Sequence, residues 1–174
     1  MDKVNLRKIA IIGCGFVGSA SAFALMQSKM FSEIVLIDAD KDKAEGEAMD
    51  ISHGIPFVGN MKIYAGSYDD IVDASIIVIT AGAGQKPGET RLDLVHKNVG
   101  IFKSIIPEIA KRKCRGILLV VANPVDILTY TALKLRVLRR TGLSVRVRCL
   151  IPQDLNVSSV SICRLTVRVC THIL

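Results

Sequence analysis

Residues 8–38 constrain the fold more than any other part of the chain. "KIAII" is a short β-branched run suited to a strand buried on both faces. "GCGFVG" follows it, and then the small, apolar "SASAFALM", which suits a helix lying close on a sheet. "EIVLID" is a second buried strand ending in an acid. In this order Gly13 allows a tight turn, Gly15 leaves room for backbone to approach a pyrophosphate, and Gly18 lets helix and strand pack closely. The helix N-terminus offers unpaired N–H groups and the positive end of its dipole to phosphates. Asp38, 20 residues after Gly18, is placed to accept both ribose hydroxyls of an adenosine and to repel a 2′-phosphate, which favours NAD over NADP. A Gly-x-Gly-x-x-Gly alone is common; the strand before it, the helix after it and the acid at this distance set this one apart.

The same region has a competing reading. Residues 9–26 carry no charge and follow Lys3, Arg7 and Lys8, as a signal peptide or a short membrane span would. Three glycines within six residues make a poor helix there, and the nucleotide turn accounts for them. With no credible targeting segment, the chain is expected in the cytoplasm and off the membrane. Its 174 residues allow one domain with a substantial core. The net charge of +7 suggests a nucleic-acid binder, but it is unevenly placed. Residues 1–135 hold 16 Lys/Arg and 15 Asp/Glu, while residues 136–174 hold seven Arg and a single acid, Asp154. Arg-rich residues 136–148 are the only feature favouring nucleic acid, which is not an expected partner. The cysteine spacings fit neither a zinc module nor a disulfide framework, so no metal is expected, and Cys14 and Cys114 read as small hydrophobes in a reducing compartment.

Further along, strand-like and helix-like segments keep alternating. "KDKAEGEAMDISHG" predicts a helix stopped at Gly54, "MKIYAG" a short strand and "SIIVITAG" (75–82) a buried strand. Residues 91–113 predict a long helix with an apolar stripe through Leu94, Val95, Ile101, Ile105 and Ile109. "GILLVVANPVD" supplies a fifth strand and "VDILTYTALKL" a closing helix. Such alternation predicts an α/β Rossmann-type fold, a doubly wound parallel sheet with its ligand beyond the carboxyl ends of the strands.

Two segments at that edge carry polar groups. "AGAGQKPGETR" (81–91) is rich in Gly and Pro and long enough for a lid, with Gln85, Lys86, Glu89 and Arg91 on it. An Arg on a closing lid can polarise a carbonyl; equally, the segment is a solvated loop whose Arg caps nearby backbone. In "ANPVD", the Asn123 amide can both donate to and accept from a ligand, though Asn before Pro is also a common turn starter.

Taken together, "IGCGFVGSASAFAL", "LIDAD", "TAGAGQKPGETRLDLVHKN" and "VVANPVDILTY" resemble the NAD-dependent lactate/malate dehydrogenase family over nearly all of residues 6–135. The resemblance implies an enzyme of NAD-dependent hydride transfer between nicotinamide C4 and the carbonyl carbon of a 2-oxo acid. Gly13, Gly15, Phe16, Val17, Gly18, Asp38 and Asn123 then hold NAD. Arg91 rides on the lid and polarises the substrate carbonyl, and Asn123, with a cis bond to Pro124, contacts the nicotinamide side and the substrate oxygen. Gln85 occupies the position that reads the far end of the substrate. A neutral Gln suits the methyl of pyruvate, placing the chain on the lactate branch, whereas an Arg would pair with the second carboxylate of oxaloacetate. Lys86, a cation on the same lid, keeps malate dehydrogenase as the alternative. The resemblance also implies a homotetramer for a full-length member.

The family's acid/base His, the Asp that orients it and the Arg that grips the substrate carboxylate belong to a second, substrate domain. Here His53, His96 and His172 are the only histidines, and none sits in a Gly-Glu-His-Gly-Asp context. We therefore expect a nucleotide-binding domain over 1–135, no substrate domain and an aberrant, poorly ordered basic tail over 136–174. The tail reads as the same gene in a shifted frame. From the Leu135/Arg136 junction, synonymous codons taken one base out of step can spell Ser-Gly-Phe-Pro-Lys-Asn-Arg-Val-Ile-Gly-Ser-Gly-Ser-Val-Leu-Asp-Ser-Ala-Arg. On that reading Asp154, Arg164 and Arg168 match the family's residue types by coincidence. The alternating "LSVRVRCLI" can still add to the sheet edge by accident. A truncated, inactive chain is expected, and a dinucleotide-binding module without chemistry is the reading from another class.

Overall fold

The computed structural model describes residues 4–137 and 147–149. Among these residues six parallel strands form one sheet in the order β3-β2-β1-β4-β5-β6: β1 Asn5–Ile12, β2 Glu33–Ile37, β3 Lys62–Ala65, β4 Ala74–Ile79, β5 Ile117–Val120 and β6 Val147–Cys149. Five helices connect them: α1 Phe16–Ser28, α2 Lys41–Ser52, the single turn α3 Ile55–Val58, α4 Arg91–Lys111 and α5 Val125–Val137. A 3-10 turn, Tyr68–Ile71, leads into β4. The order runs outward from β1 in one direction and from β4 in the other, so the topological switch point lies between these two strands.

The strands are apolar on both faces because each face is roofed by helices. Ile9, Ile11, Ile34, Leu36 and Val78 point to one side, where they pack with Ala22 and Met26 of α1 and Ala44, Ala48 and Ile51 of α2. Ala10, Ile12, Val35, Ile37, Ile77 and Ile79 point to the other, against Phe102, Ile105, Ile106 and Ile109 of α4 and Leu128 and Ala132 of α5. The two-residue alternation of side chains along each strand divides the core in this way. Residues 9–26, uncharged throughout, are split between a strand and a helix around the glycine turn, and no helix among the described residues is long and apolar enough to cross a membrane.

At the amino ends of the strands, away from the switch-point crevice, Lys8 is buried and bridges Glu33 at 3.2 Å and Asp73 at 2.8 Å. The Tyr64 hydroxyl donates to Glu33 Oε1 at 2.8 Å. Burial opposes the charge on Lys8, but its bonds to Asp73 and Glu33 outweigh this and raise its pKa. This cluster ties β1, β2 and β3 together by side chains as well as by backbone.

Two sequence expectations are corrected. The fourth strand ends at Ile79, because Thr80, Ala81 and Gly82 turn out of the sheet to begin the β4–α4 loop. In α4 the buried face runs through Asn98, Phe102, Ile105, Ile106 and Ile109, while Leu94, Val95 and Ile101 are only half-buried. The alternating stretch 143–151 contains β6, which lies parallel to β5 with Leu118 opposite Val147. His172, Asp154, Arg164 and Arg168 lie outside the described residues.

Candidate functional site

The site is assembled where consecutive strands end. Gly13 N donates to Ile37 O at 2.7 Å, joining the ends of β1 and β2. Thr80 N and Ala81 N both donate to Ile12 O at 2.9 Å, joining β4 to β1, and Val121 N donates to Ile79 O at 3.0 Å, joining β5 to β4. These bonds bring the glycine turn, Asp38, the β4–α4 loop and Asn123 to one edge.

The glycine turn has the geometry expected of a phosphate cradle. Gly13 has φ +106°, and a Cβ on it would sit 2.5 Å from Ala81 N. At Gly18 a Cβ would lie 1.9 Å from Gly13 O, so α1 can start this close to β1 only with glycine there. Gly15 is different: a Cβ there would meet nothing within 4 Å, and its surface faces open space. It is the N-cap of α1, with no side-chain cap, so the first-turn amides have no side-chain acceptor from this position. An uncapped helix start beside an exposed glycine backbone fits a diphosphate. Phe16 and Val17, in that first turn, are exposed. Thr80 braces the turn from β4: its hydroxyl donates to Gly13 O at 2.7 Å and to Ile12 O at 3.2 Å, two alternatives for one proton.

Asp38 directly follows β2. Its Oδ2 accepts from Cys14 N at 2.6 Å and its Oδ1 from Asp40 N at 3.0 Å. The carboxylate is thus clamped across the strand ends with lone pairs left for ribose hydroxyls. Burial, with Asp38 nearby as the next cause, pushes the Cys14 thiol up to about 11, so it remains protonated and unreactive at neutral pH.

The β4–α4 loop presents Gln85 and Lys86, both exposed, with Gly88 at φ +84°. Gln85 Nε2 donates to Glu89 O at 2.7 Å. The Glu89 carboxylate accepts from Lys86 N at 3.2 Å and pairs with Lys97 of α4, and the bond from Lys97 holds its pKa below the usual value. Arg91 is the first residue of α4, exposed, behind a capping box in which Thr90 and Asp93 satisfy each other's backbone N–H groups. Asn123 is exposed, and its bond to Pro124 is cis, as expected.

The structure thus brings Gly13, Gly15, Phe16, Val17, Gly18, Asp38, Gln85, Arg91 and Asn123 onto adjoining loops and helix starts at the carboxyl ends of the strands. Among the described residues it does not bring a histidine to them with a defined role. His53 caps the C-terminus of α2, whose chain has run back toward the amino ends of the strands, and His96 is exposed on α4. A cavity of about 580 Å³ lies to one side, between α2 and β3, and shares only Asp38 with these residues. It is an opening at the sheet flank, and the strand-end loops are the better functional candidate because they carry the convergent polar groups. The sequence reading missed Thr80 and Asn98. Asn98 was detectable as the polar residue spaced four from both Leu94 and Phe102, on the helix face that turns inward.

Comparison with known proteins agrees with this geometry. Residues 7–142 match the family described as lactate/malate dehydrogenase, NAD binding domain. The chain is 58% identical over 130 residues to L-lactate dehydrogenase of Thermoanaerobacterium saccharolyticum, covering 75% of this chain and 42% of the relative. It is 59% identical over 128 residues to L-lactate dehydrogenase 1 of Clostridium acetobutylicum, covering 74% and 41%. Among solved structures, a lactate dehydrogenase from a Medee basin deep-sea metagenome superposes with a TM-score of 0.72 at 45% identity, over 83% of this chain and 44% of that one. The minor L-lactate dehydrogenase of Enterococcus mundtii gives 0.72 at 43% identity, over 75% and 42%. The chain spans about two fifths of the length of the curated relatives it matches. With a family match over most of its residues and the nucleotide turn built as that match requires, the chain belongs to the lactate/malate dehydrogenase family and contains its NAD-binding domain.

Proposed function

We propose that this chain is the nucleotide-binding part of an NAD-dependent L-lactate dehydrogenase and that, as 174 residues, it binds the dinucleotide without turning over substrate. The observation that carries the reading is the joint placement of the open Gly15 turn, Asp38, the loop bearing Gln85, Arg91 at the start of α4, and Asn123 at adjoining strand ends. The α1 amides take the diphosphate, and Asp38 takes the ribose hydroxyls and disfavours a 2′-phosphate. Asn123 orients the nicotinamide side, Arg91 polarises the substrate carbonyl, and the neutral Gln85 accommodates the methyl of pyruvate. Bound NADH supplies the hydride. The proton that must accompany it has no donor among these residues, and for this reason we expect binding without catalysis.

The domain reading that accompanies this proposal is a nucleotide domain over 1–135 and a frame-shifted tail over 136–174. It is supported by the abrupt change in charge after Leu135 and by relatives aligning over 128–135 residues. A full-length protein in the unshifted frame would be a cytoplasmic homotetramer acting on pyruvate and lactate. Two measurements test the proposal. NADH titrated into the chain should bind, with NADPH weaker by tenfold or more and no pyruvate-dependent loss of NADH absorbance; absence of NADH binding would sink it. Reading the source gene across codons 134–137 should reveal an extra or missing base; a gene that agrees with the chain as given would mean that this chain is the one made, a nucleotide-binding remnant without turnover.

A further inference from the structure

Asn98 is 1% exposed, and its amide is fully engaged between two loops that the sequence does not connect. Its Oδ1 accepts from Ala83 N at 2.7 Å, at the root of the β4–α4 loop. Its Nδ2 donates to Asn123 O at 2.7 Å, the carbonyl of the cis bond to Pro124, with a longer approach to Ala83 O at 3.4 Å. The amide's orientation follows from its partners, since Ala83 N requires an acceptor and Asn123 O a donor. Gly82 lies alongside: a Cβ there would sit 3.4 Å from Ala122 Cβ and 3.5 Å from Asn98 Oδ1, in ordinary van der Waals contact. A buried amide is retained against its desolvation cost only where its bonds do something an apolar side chain cannot. Leucine would fill the same volume and bond to neither loop, while aspartate would serve Ala83 and repel the Asn123 carbonyl.

We propose that Asn98 is a positioning residue: through one amide it locks the root of the loop that carries Gln85 and leads to Arg91 at the start of α4 to Asn123, so that the substrate-reading loop and the nicotinamide-side contact keep a common register. The inference rests on the NAD-dependent reading above. Its consequence is selective. The adenosine and diphosphate contacts, at Asp38 and the α1 N-terminus, involve no bond to Asn98, whereas the nicotinamide end lies beside it.

The test compares NADH with ADP on the chain and on Asn98→Asp. We expect NADH affinity to fall about tenfold, the usual cost of losing a buried hydrogen bond and exposing its partner, while ADP affinity changes less than twofold. Equal loss of both nucleotides, or no change in NADH, would overturn the proposal. Should Asn98→Asp fail to fold, the side-chain amide resonances of Asn98 in the unsubstituted chain decide it: they should move on adding NADH and stay in place with ADP. Movement with both, or with neither while NADH binds, overturns it. An unsubstituted chain that binds neither nucleotide overturns the nucleotide reading itself, a pattern distinct from the others.

Discussion

At Gly15 and Gly18 the same chemical change should affect stability differently. A Cβ at Gly18 would collide with Gly13 O at 1.9 Å and with Thr80 Oγ1 at 2.9 Å, so Gly18→Ala must push α1 off β1. It should cost about 2 kcal/mol or more of stability, seen as a lower melting temperature, together with nucleotide binding. Gly15→Ala has open space around its Cβ and should leave the melting temperature unchanged while weakening NADH at least tenfold. Unchanged NADH affinity in Gly15→Ala would mean that no phosphate lies against this turn. Cys14 supplies a pH dependence. Its folded-state pKa of about 11 lies above the ordinary 9.0, so the folded chain holds the thiol proton more tightly than the unfolded chain. The resulting stability is complete below pH 9 and is lost as the pH rises toward 11. At pH 9 alkylation of Cys14 should be slower in the folded chain than in urea, because burial both keeps the thiol protonated and shields it, measurable by peptide mass spectrometry. Comparable rates would show that the thiol is not buried as described.

Among the elements, α4 bears most directly on the site, because Arg91 is its first residue and Asn98 sits on its buried face. The capping box of Thr90 and Asp93 sets where the helix begins and therefore where Arg91 projects. Thr90→Ala should cost about 1 kcal/mol and fray the first turn, detectable as faster amide exchange at residues 91–94 with the rest of α4 unchanged. Uniform exchange along the helix would argue against a local cap. The hydroxyl and backbone N–H of Thr90 hold the Asp93 carboxylate below its usual pKa, so the cap persists above the ordinary carboxylate range and fails only in stronger acid. The loop before the helix is tied more lightly. Glu89 is bonded by Lys97, Lys86 and Gln85, all at exposed positions, which allows the loop to be held in place yet released at small cost.

Over the whole molecule, the described residues bury a core on both faces of the sheet, but the outer helix surfaces are not polar. Phe23 on α1 and Tyr130 and Leu133 on α5 are between 43% and 57% exposed, and Phe57 is 87% exposed. We therefore expect concentration-dependent association, seen as a rising sedimentation coefficient and a melt that broadens as protein is added. A sharp, monomeric melt at high concentration would contradict this. NADH should protect the strand-end edge without suppressing association, because the apolar helix faces lie elsewhere.

The residue order alone determined the strand, glycine turn, helix and acid of residues 8–38, the parallel architecture and the identities at the site. These follow from local rules: β-branched runs buried on both faces, glycines where backbone must turn or approach, and an acid at a fixed distance along the chain. The cis bond at Pro124 and the roles of Gln85 and Arg91 came from resemblance to a family, not from spacing. Only the tertiary structure decided that Asp38 is clamped by Cys14 N, that Thr80 braces the turn from a different strand, and that Asn98 links Ala83 to Asn123. Each is a bond between segments 15 to 67 residues apart in the chain. Such partners are chosen by which strand ends lie side by side, and that order is a property of the assembled sheet rather than of any stretch of sequence.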